Sequence, residues 1–143
     1  MKPVLDVTFP FKAFSVNKFQ KTARTLRRYT TPEGVEYQRN VNLLLPKYID
    51  VAFPFYHMEY QFFYKNVFNK AGEISSRTLD TDNAIKILQD VIFNKYGLND
   101  KNVVSLTSRK MPSANDDYFR IVVHGLTKTD YLNTLGVSIT FAV

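Results

Sequence analysis

Tyr56-His57-Met58-Glu59-Tyr60-Gln61-Phe62-Phe63-Tyr64-Lys65 alternates as an extended chain would, with Met58, Tyr60, Phe62 and Tyr64 on one side and His57, Glu59, Gln61 and Phe63 on the other. Aromatic side chains suit a pleated, half-buried surface, so the run predicts a strand with one face on the core. Sheet packing alone accounts for Tyr56, Tyr60, Phe62, Phe63 and Tyr64. Bulky apolar groups of this kind need covering layers, and the flanking sequence supplies candidates.

Upstream, Pro3 to Pro10 alternates Val4, Asp6 and Thr8 with Leu5, Val7 and Phe9, which reads as a strand closed by proline. Thr31-Pro32-Glu33 reads as a helix start, with threonine as N-cap, proline in the first turn and an acid near the positive end of the dipole. The spacing predicts a helix from Pro32 to Leu45, stopped by Pro46. Downstream, Lys70-Ala71-Gly72-Glu73 predicts a turn, and an extended stretch then enters Leu79-Asp80-Thr81-Asp82-Asn83. A second helix follows, capped by Asp82 or Asn83 and reaching about Tyr96, with Ile85, Leu88, Ile92 and Phe93 as its apolar stripe.

Gly97 ends that helix. Strands over Val103 to Met111 and Tyr118 to Gly125 are joined by Pro112-Ser113-Ala114-Asn115-Asp116-Asp117, which predicts a hairpin. A short helix around Thr129 to Leu135 and a last strand over Val137 to Val143 complete an additional C-terminal segment, 126–143. The fold class is α+β: a single domain over 1–143, with a mixed β-sheet flanked by two principal helices.

At 143 residues, such a domain buries about two-thirds of its unfolded surface. With 45% hydrophobic and 22% charged residues, the composition is that of a folded globular protein. Cysteine is absent, which excludes disulfides, thiolate metal sites and cysteine nucleophiles. No stretch approaches the roughly 20 apolar residues of a membrane helix, so a cytoplasmic protein with no membrane partner is expected.

The net charge of +6 is uneven. Lys12, Lys18, Lys21, Arg24, Arg27 and Arg28 fall between Asp6 and Glu33 with no acid among them, forming a basic arm over 12–28. Phosphate neutralisation is the commonest use of such a cluster, and a solvated surface loop is the alternative. Ser15 and Asn17 are further candidates for phosphate contact. Phe14 and Phe19, beside the arm, fit either stacking on opened bases or packing.

Asp80-Thr81-Asp82-Asn83-Ala84-Ile85-Lys86-Ile87-Leu88-Gln89-Asp90, followed by Asp100, carries the chemistry. On extended backbone, aspartates at i and i+2 project to one side, so the carboxylates of Asp80 and Asp82 converge if the helix begins only at Asn83. Lys86 and Asp90 then lie one turn apart on a single face. Clustered carboxylates repel one another unless a cation sits between them, and hard oxygen ligands suit Mg²⁺ or Mn²⁺. Such an ion activates water and neutralises charge developing on a phosphodiester. The same residues also fit a capping pair with an exposed Lys86 ion pair. His57 and His124 lack a metal-ligand companion at short spacing and read as structural or surface residues.

Asp80-x-Asp82-Asn83-x-x-Lys86-x-x-x-Asp90 and Asp100-x-x-Val103 resemble the signature elements of the RusA family of Holliday-junction resolvases. Weaker matches occur in order: Phe9-Pro10, Ser15-Val16-Asn17, Glu33-Gly34-x-x-Tyr37-x-x-x-Val41 and Lys110-Met111-Pro112. Together they span roughly residues 3–125. The resemblance implies a homodimeric, Mg²⁺-dependent endonuclease, with Mn²⁺ able to substitute, that makes paired cuts in four-way junctions. It assigns Asp80, Asp82 and Asp100 to the metal and Lys86 to catalysis.

Ser15, Asn17, Lys18, Lys21, Arg24, Arg27 and Arg28 are then the DNA-binding candidates, and Asn83, Asp90 and Arg77 supporting ones. Three departures stand out: Asn99 replaces the first member of an acidic pair, Leu79 stands where a basic residue is common, and Lys12-Ala13-Phe14 replaces a proline pair. A broader branched-DNA nuclease and a non-catalytic junction-binding protein are the competing readings.

Overall fold

In the computed structural model, residues 2–15, 20–24, 27–75 and 81–135 are described, without the side chains of Gln20, Thr81 and Asn83. The elements run β1 (Lys2–Phe9), β2 (Gln20–Thr22), β3 (Arg28–Thr30), α1 (Pro32–Leu44), β4 (Phe55–Tyr64) and α2 (Thr81–Tyr96). A 3-10 turn (Asp100–Asn102) leads into β5 (Val103–Pro112), β6 (Tyr118–Leu126) and α3 (Lys128–Thr134).

Strand β4 behaves as its alternation predicts. Tyr56, Met58, Tyr60, Phe62 and Tyr64 are buried, and the intervening residues are half-buried. The main sheet is ordered β1-β6-β4-β5, with β4 parallel to β5 and antiparallel to β6. The fold is therefore α+β with a mixed sheet, as expected, and α1 and α2 both contribute to the core on one face of it.

The expected hairpin between β5 and β6 does not form: β4 lies between them. The physical reason is the character of the strands. β4 has the most continuous apolar face and takes an interior place, whereas β5, carrying Ser105, Thr107, Ser108, Arg109 and Lys110, is fit for a sheet edge. Parallel pairing of β4 with β5 requires a long crossover, and α2 provides it.

Helix α1 starts where expected. The Thr31 hydroxyl accepts from Gly34 N at 3.0 Å, Pro32 opens the helix, and Gly34, Tyr37 and Val41 form the buried stripe. Its C-terminal carbonyls are met from α2: Lys95 Nζ donates to Asn42 O at 2.7 Å and to Leu45 O at 3.2 Å. Helix α2 buries Ala84, Ile85, Ile87, Leu88, Val91 and Ile92, a wider stripe than its spacing predicted. Gly97, at φ +66°, ends it in the left-handed region, and Leu98 N donates to Phe93 O at 3.1 Å.

Part of the basic arm is more ordered than a loop. β2 and β3 pair antiparallel, with Lys21 opposite Tyr29 and Thr22 opposite Arg28. The short helix expected near Thr129 is α3, opened by a reciprocal capping box between Thr127 and Asp130. The expected last strand, 137–143, lies outside the described residues.

The sheet face opposite the helices is polar and aromatic. Arg120 holds Asp6 through two bonds of 2.8 and 2.6 Å, keeping that carboxyl below its usual range, and Phe63 stacks on Tyr118 at 4.3 Å. His57 and His124 face each other across β4 and β6, with His57 Nδ1 at 2.6 Å from Ser105 Oγ. Burial, then the His124 charge, push the His57 pKa down.

A lowered histidine pKa means that the unfolded chain binds the proton more readily. The His57 contribution to stability is complete above the unfolded value of about 6.5 and is lost as pH falls through the folded value. Urea midpoints measured downward from pH 7.5 are expected to begin falling near that point, and His57→Gln to flatten the decline; parallel curves would remove the attribution. A second prediction concerns Gly125, where an added Cβ would sit 2.3 Å from the Phe53 ring. Gly125→Ala is expected to cost about 1–3 kcal/mol in urea denaturation.

Candidate active site

The site is built on the first turns of α2 and on the 3-10 turn before β5. Because α2 begins at Thr81, neither Asp82 nor Asn83 is its cap, and Asp82 is not on extended backbone. This corrects the expected geometry, in which the helix began at Asn83. Thr81 and Asp82 continue into the apolar stripe of α2 without a breaking residue, so the helix extends back over them. Asp82 instead occupies the first turn, where the helix dipole favours a carboxylate.

Helical periodicity then aligns Asp82, Lys86 and Asp90 along one face at i, i+4 and i+8, with Gln89 beside them. Asp100 comes from the other side. It opens the 3-10 turn, whose N-cap is Asn99, and the Asn99 side chain accepts from Lys101 N at 3.1 Å. The residue that departs from an acidic pair thus shapes the turn carrying Asp100.

These groups meet in one groove of about 430 Å³. Asp82, Lys86, Asp90 and Asp100 line it together with Ile85, Gln89 and Leu106. Asp82, Lys86, Asp90 and Asp100 are all exposed, and none forms a salt bridge with another described residue. Leu106 is 42% exposed, so the groove has an apolar wall from the edge strand. Gln89 and Leu106 were not singled out from the sequence. Gln89 lies three residues beyond Lys86, a helical spacing that marks the shared face, whereas Leu106 depends on strand order.

Of the remaining candidates, Asp80 and Arg77 lie outside the described residues, as do Asn17, Lys18 and Phe19; Asn83 is in α2, with its side chain outside them. Lys21, Arg24, Arg27 and Arg28 are exposed on and around the β2–β3 pair. Lys12 is 3.9 Å from Asp117. Ser15 is half-buried. Phe14 stacks on Tyr37 at 4.4 Å with rings 3° from parallel, which favours packing over base stacking.

Among the described residues, no three His, Cys, Asp or Glu side chains group closely enough to hold a metal ion. The donor chemistry of the groove nevertheless suits a hard cation, because its acids are carboxylates and Mg²⁺ is commonly held by one or two carboxylates plus waters. His57 and His124 lie elsewhere, in the ring pair between β4 and β6. No helix among the described residues is long and apolar enough to cross a membrane.

A mixed sheet backed by two helices, with an acidic groove at a helix start, fits the endodeoxyribonuclease class. Residues 10–124 match the family described as Endodeoxyribonuclease RusA, and the chain belongs to the RusA family. The match begins after β1 and stops within β6, so α3 lies beyond it. No curated protein matches the chain.

Asn99→Ala removes the side-chain acceptor of the 3-10 turn and is expected to cost about 1 kcal/mol, whereas Asn99→Asp, which keeps an acceptor, should stay near wild type. Urea denaturation of both variants checks this, and equal losses would show that the cap contributes nothing specific.

Proposed function

We propose that the chain is a Mg²⁺-dependent endonuclease that resolves four-way DNA junctions by paired cuts, acting as a homodimer, with Mn²⁺ able to substitute. The observation that carries this reading is the convergence of Asp82, Lys86 and Asp100 on one groove from separate elements. Family membership supports it. A four-way junction has approximate two-fold symmetry, so two related cuts match a two-fold dimer with one groove per subunit.

In this reading Asp80, Asp82 and Asp100 hold the metal. When bound, Mg²⁺ acts as a Lewis acid and supplies an activated water. Lys86 donates to the phosphate and offsets negative charge that grows in the transition state. Asp90 lies one turn beyond Lys86 on the same face of α2 and is a supporting candidate, as are Asn83 and Arg77. Lys18, Lys21, Arg24, Arg27 and Arg28, with Ser15 and Asn17, hold the DNA backbone without reading bases, so selectivity comes from junction shape. Such a protein works where the DNA is, in the cytoplasm of a bacterial or phage-infected cell.

A labelled mobile four-way junction in Mg²⁺ provides the test. Paired nicks are expected from wild type, abolished by EDTA. Asp82→Asn and Asp100→Asn should each reduce cleavage on the order of 100-fold or more while junction binding persists. Equal cutting of flaps and Y-forks would replace junction resolution with a broader branched-DNA activity. Binding without cutting in either Mg²⁺ or Mn²⁺ would leave a non-catalytic junction binder.

A further inference from the structure

Gln89 joins the core of the sheet to the acidic groove. It lines the groove beside Lys86, and its Oε1 accepts from the Tyr60 hydroxyl at 3.3 Å. Tyr60 is fully buried in the middle of β4. A buried hydroxyl proton needs an acceptor, and among the described residues Gln89 Oε1 is the one Tyr60 reaches. Burial and then the Asp90 charge push the Tyr60 pKa well up, so the hydroxyl keeps its proton and remains a donor.

The amide is therefore oriented from behind. With Oε1 engaged by Tyr60, the Nε2 group keeps two N–H donors, and it makes no hydrogen bond to a described residue. The groove otherwise presents carboxylates and apolar carbon, with Lys86 as its cation. A phosphodiester entering it meets few donors. We propose that Gln89, held by Tyr60, donates from Nε2 to a non-bridging phosphate oxygen of the DNA strand in the groove and so registers the strand beside Lys86.

This rests on the nuclease reading, and the test separates the two. Gln89→Glu keeps an acceptor for Tyr60 and nearly the same shape but replaces the donors with negative charge; Gln89→Met removes both functions. Expected are an unchanged melting temperature for Gln89→Glu and a rise in KM of about 10-fold or more for both variants, with a smaller change in kcat. Binding of junctions carrying single methylphosphonates around the cut is then compared with Ca²⁺ in place of Mg²⁺, so that the carboxylates of the groove are neutralised. Wild type should lose affinity at one phosphate where Gln89→Met loses no more, while both stay sensitive elsewhere.

Wild-type KM in both variants, additive losses at every phosphate, or failure of both variants to fold would overturn the role of Gln89. The last result would assign it to the core alone. A wild-type protein that neither binds nor cuts branched DNA would instead overturn the nuclease reading.

Discussion

Burial of one face of β4 against α2 is the constraint on which the rest of the molecule depends. Tyr60 and Met58 are fully buried, as are Leu88 and Ile92 of the helix. Packing at that density leaves little rotational freedom, because a turned helix would expose the stripe and bury its charges. With Ala84, Leu88 and Ile92 facing inward, Asp82, Lys86 and Asp90 fall on the exposed side. The direction of the acidic row follows from hydrophobic packing rather than from any attraction among the acids.

The parallel pairing of β4 with β5 supplies the other half of the groove. Helix α2 bridges these two strands, and the chain then turns through Asn99 and Asp100 before entering β5. A crossover of this kind returns the chain beside the helix, which brings Asp100 and Leu106 to the groove that Asp82 and Lys86 line. Had β5 paired with β6 as a hairpin, that closeness would have no topological reason. The central place of β4 therefore matters for the site as much as for the core.

Local features were legible in the sequence because they follow from local physics. The alternation of β4, the Thr31 cap with Pro32, and Gly97 as a stop each depend on a few neighbouring residues, and each has its expected counterpart. Strand order was not legible. Between Pro112 and Asp117 lies a good turn, but a turn reports a reversal of direction and not which strand becomes the neighbour. The start of α2 was misread for a related reason: two aspartates suggest a cap, yet helix propagation from the packed stripe carries Asp82 into the first turn. Spacing placed Lys86 and Asp90 on one helical face, and Gln89, three residues beyond Lys86, falls beside them by the same rule, but its tie to Tyr60 depends on the packing of α2 against β4.

Charge is divided between two places that serve opposite needs. Lys21, Arg24, Arg27 and Arg28 are exposed and attract a polyanion at a range set by the Debye length of about 8–10 Å. Within the groove, Asp82, Asp90 and Asp100 outnumber Lys86, so a bare phosphate arriving there is opposed over the same short range. Under the proposed reading, attraction and chemistry are thus separable: the arm retains DNA without a metal, and the groove accepts a phosphodiester only once its carboxylates are neutralised. An uncharged donor such as the Gln89 amide suits that setting, since it contacts phosphate without competing with a cation for the acids. A second lysine there would pair with the carboxylates instead and weaken the hold on the metal.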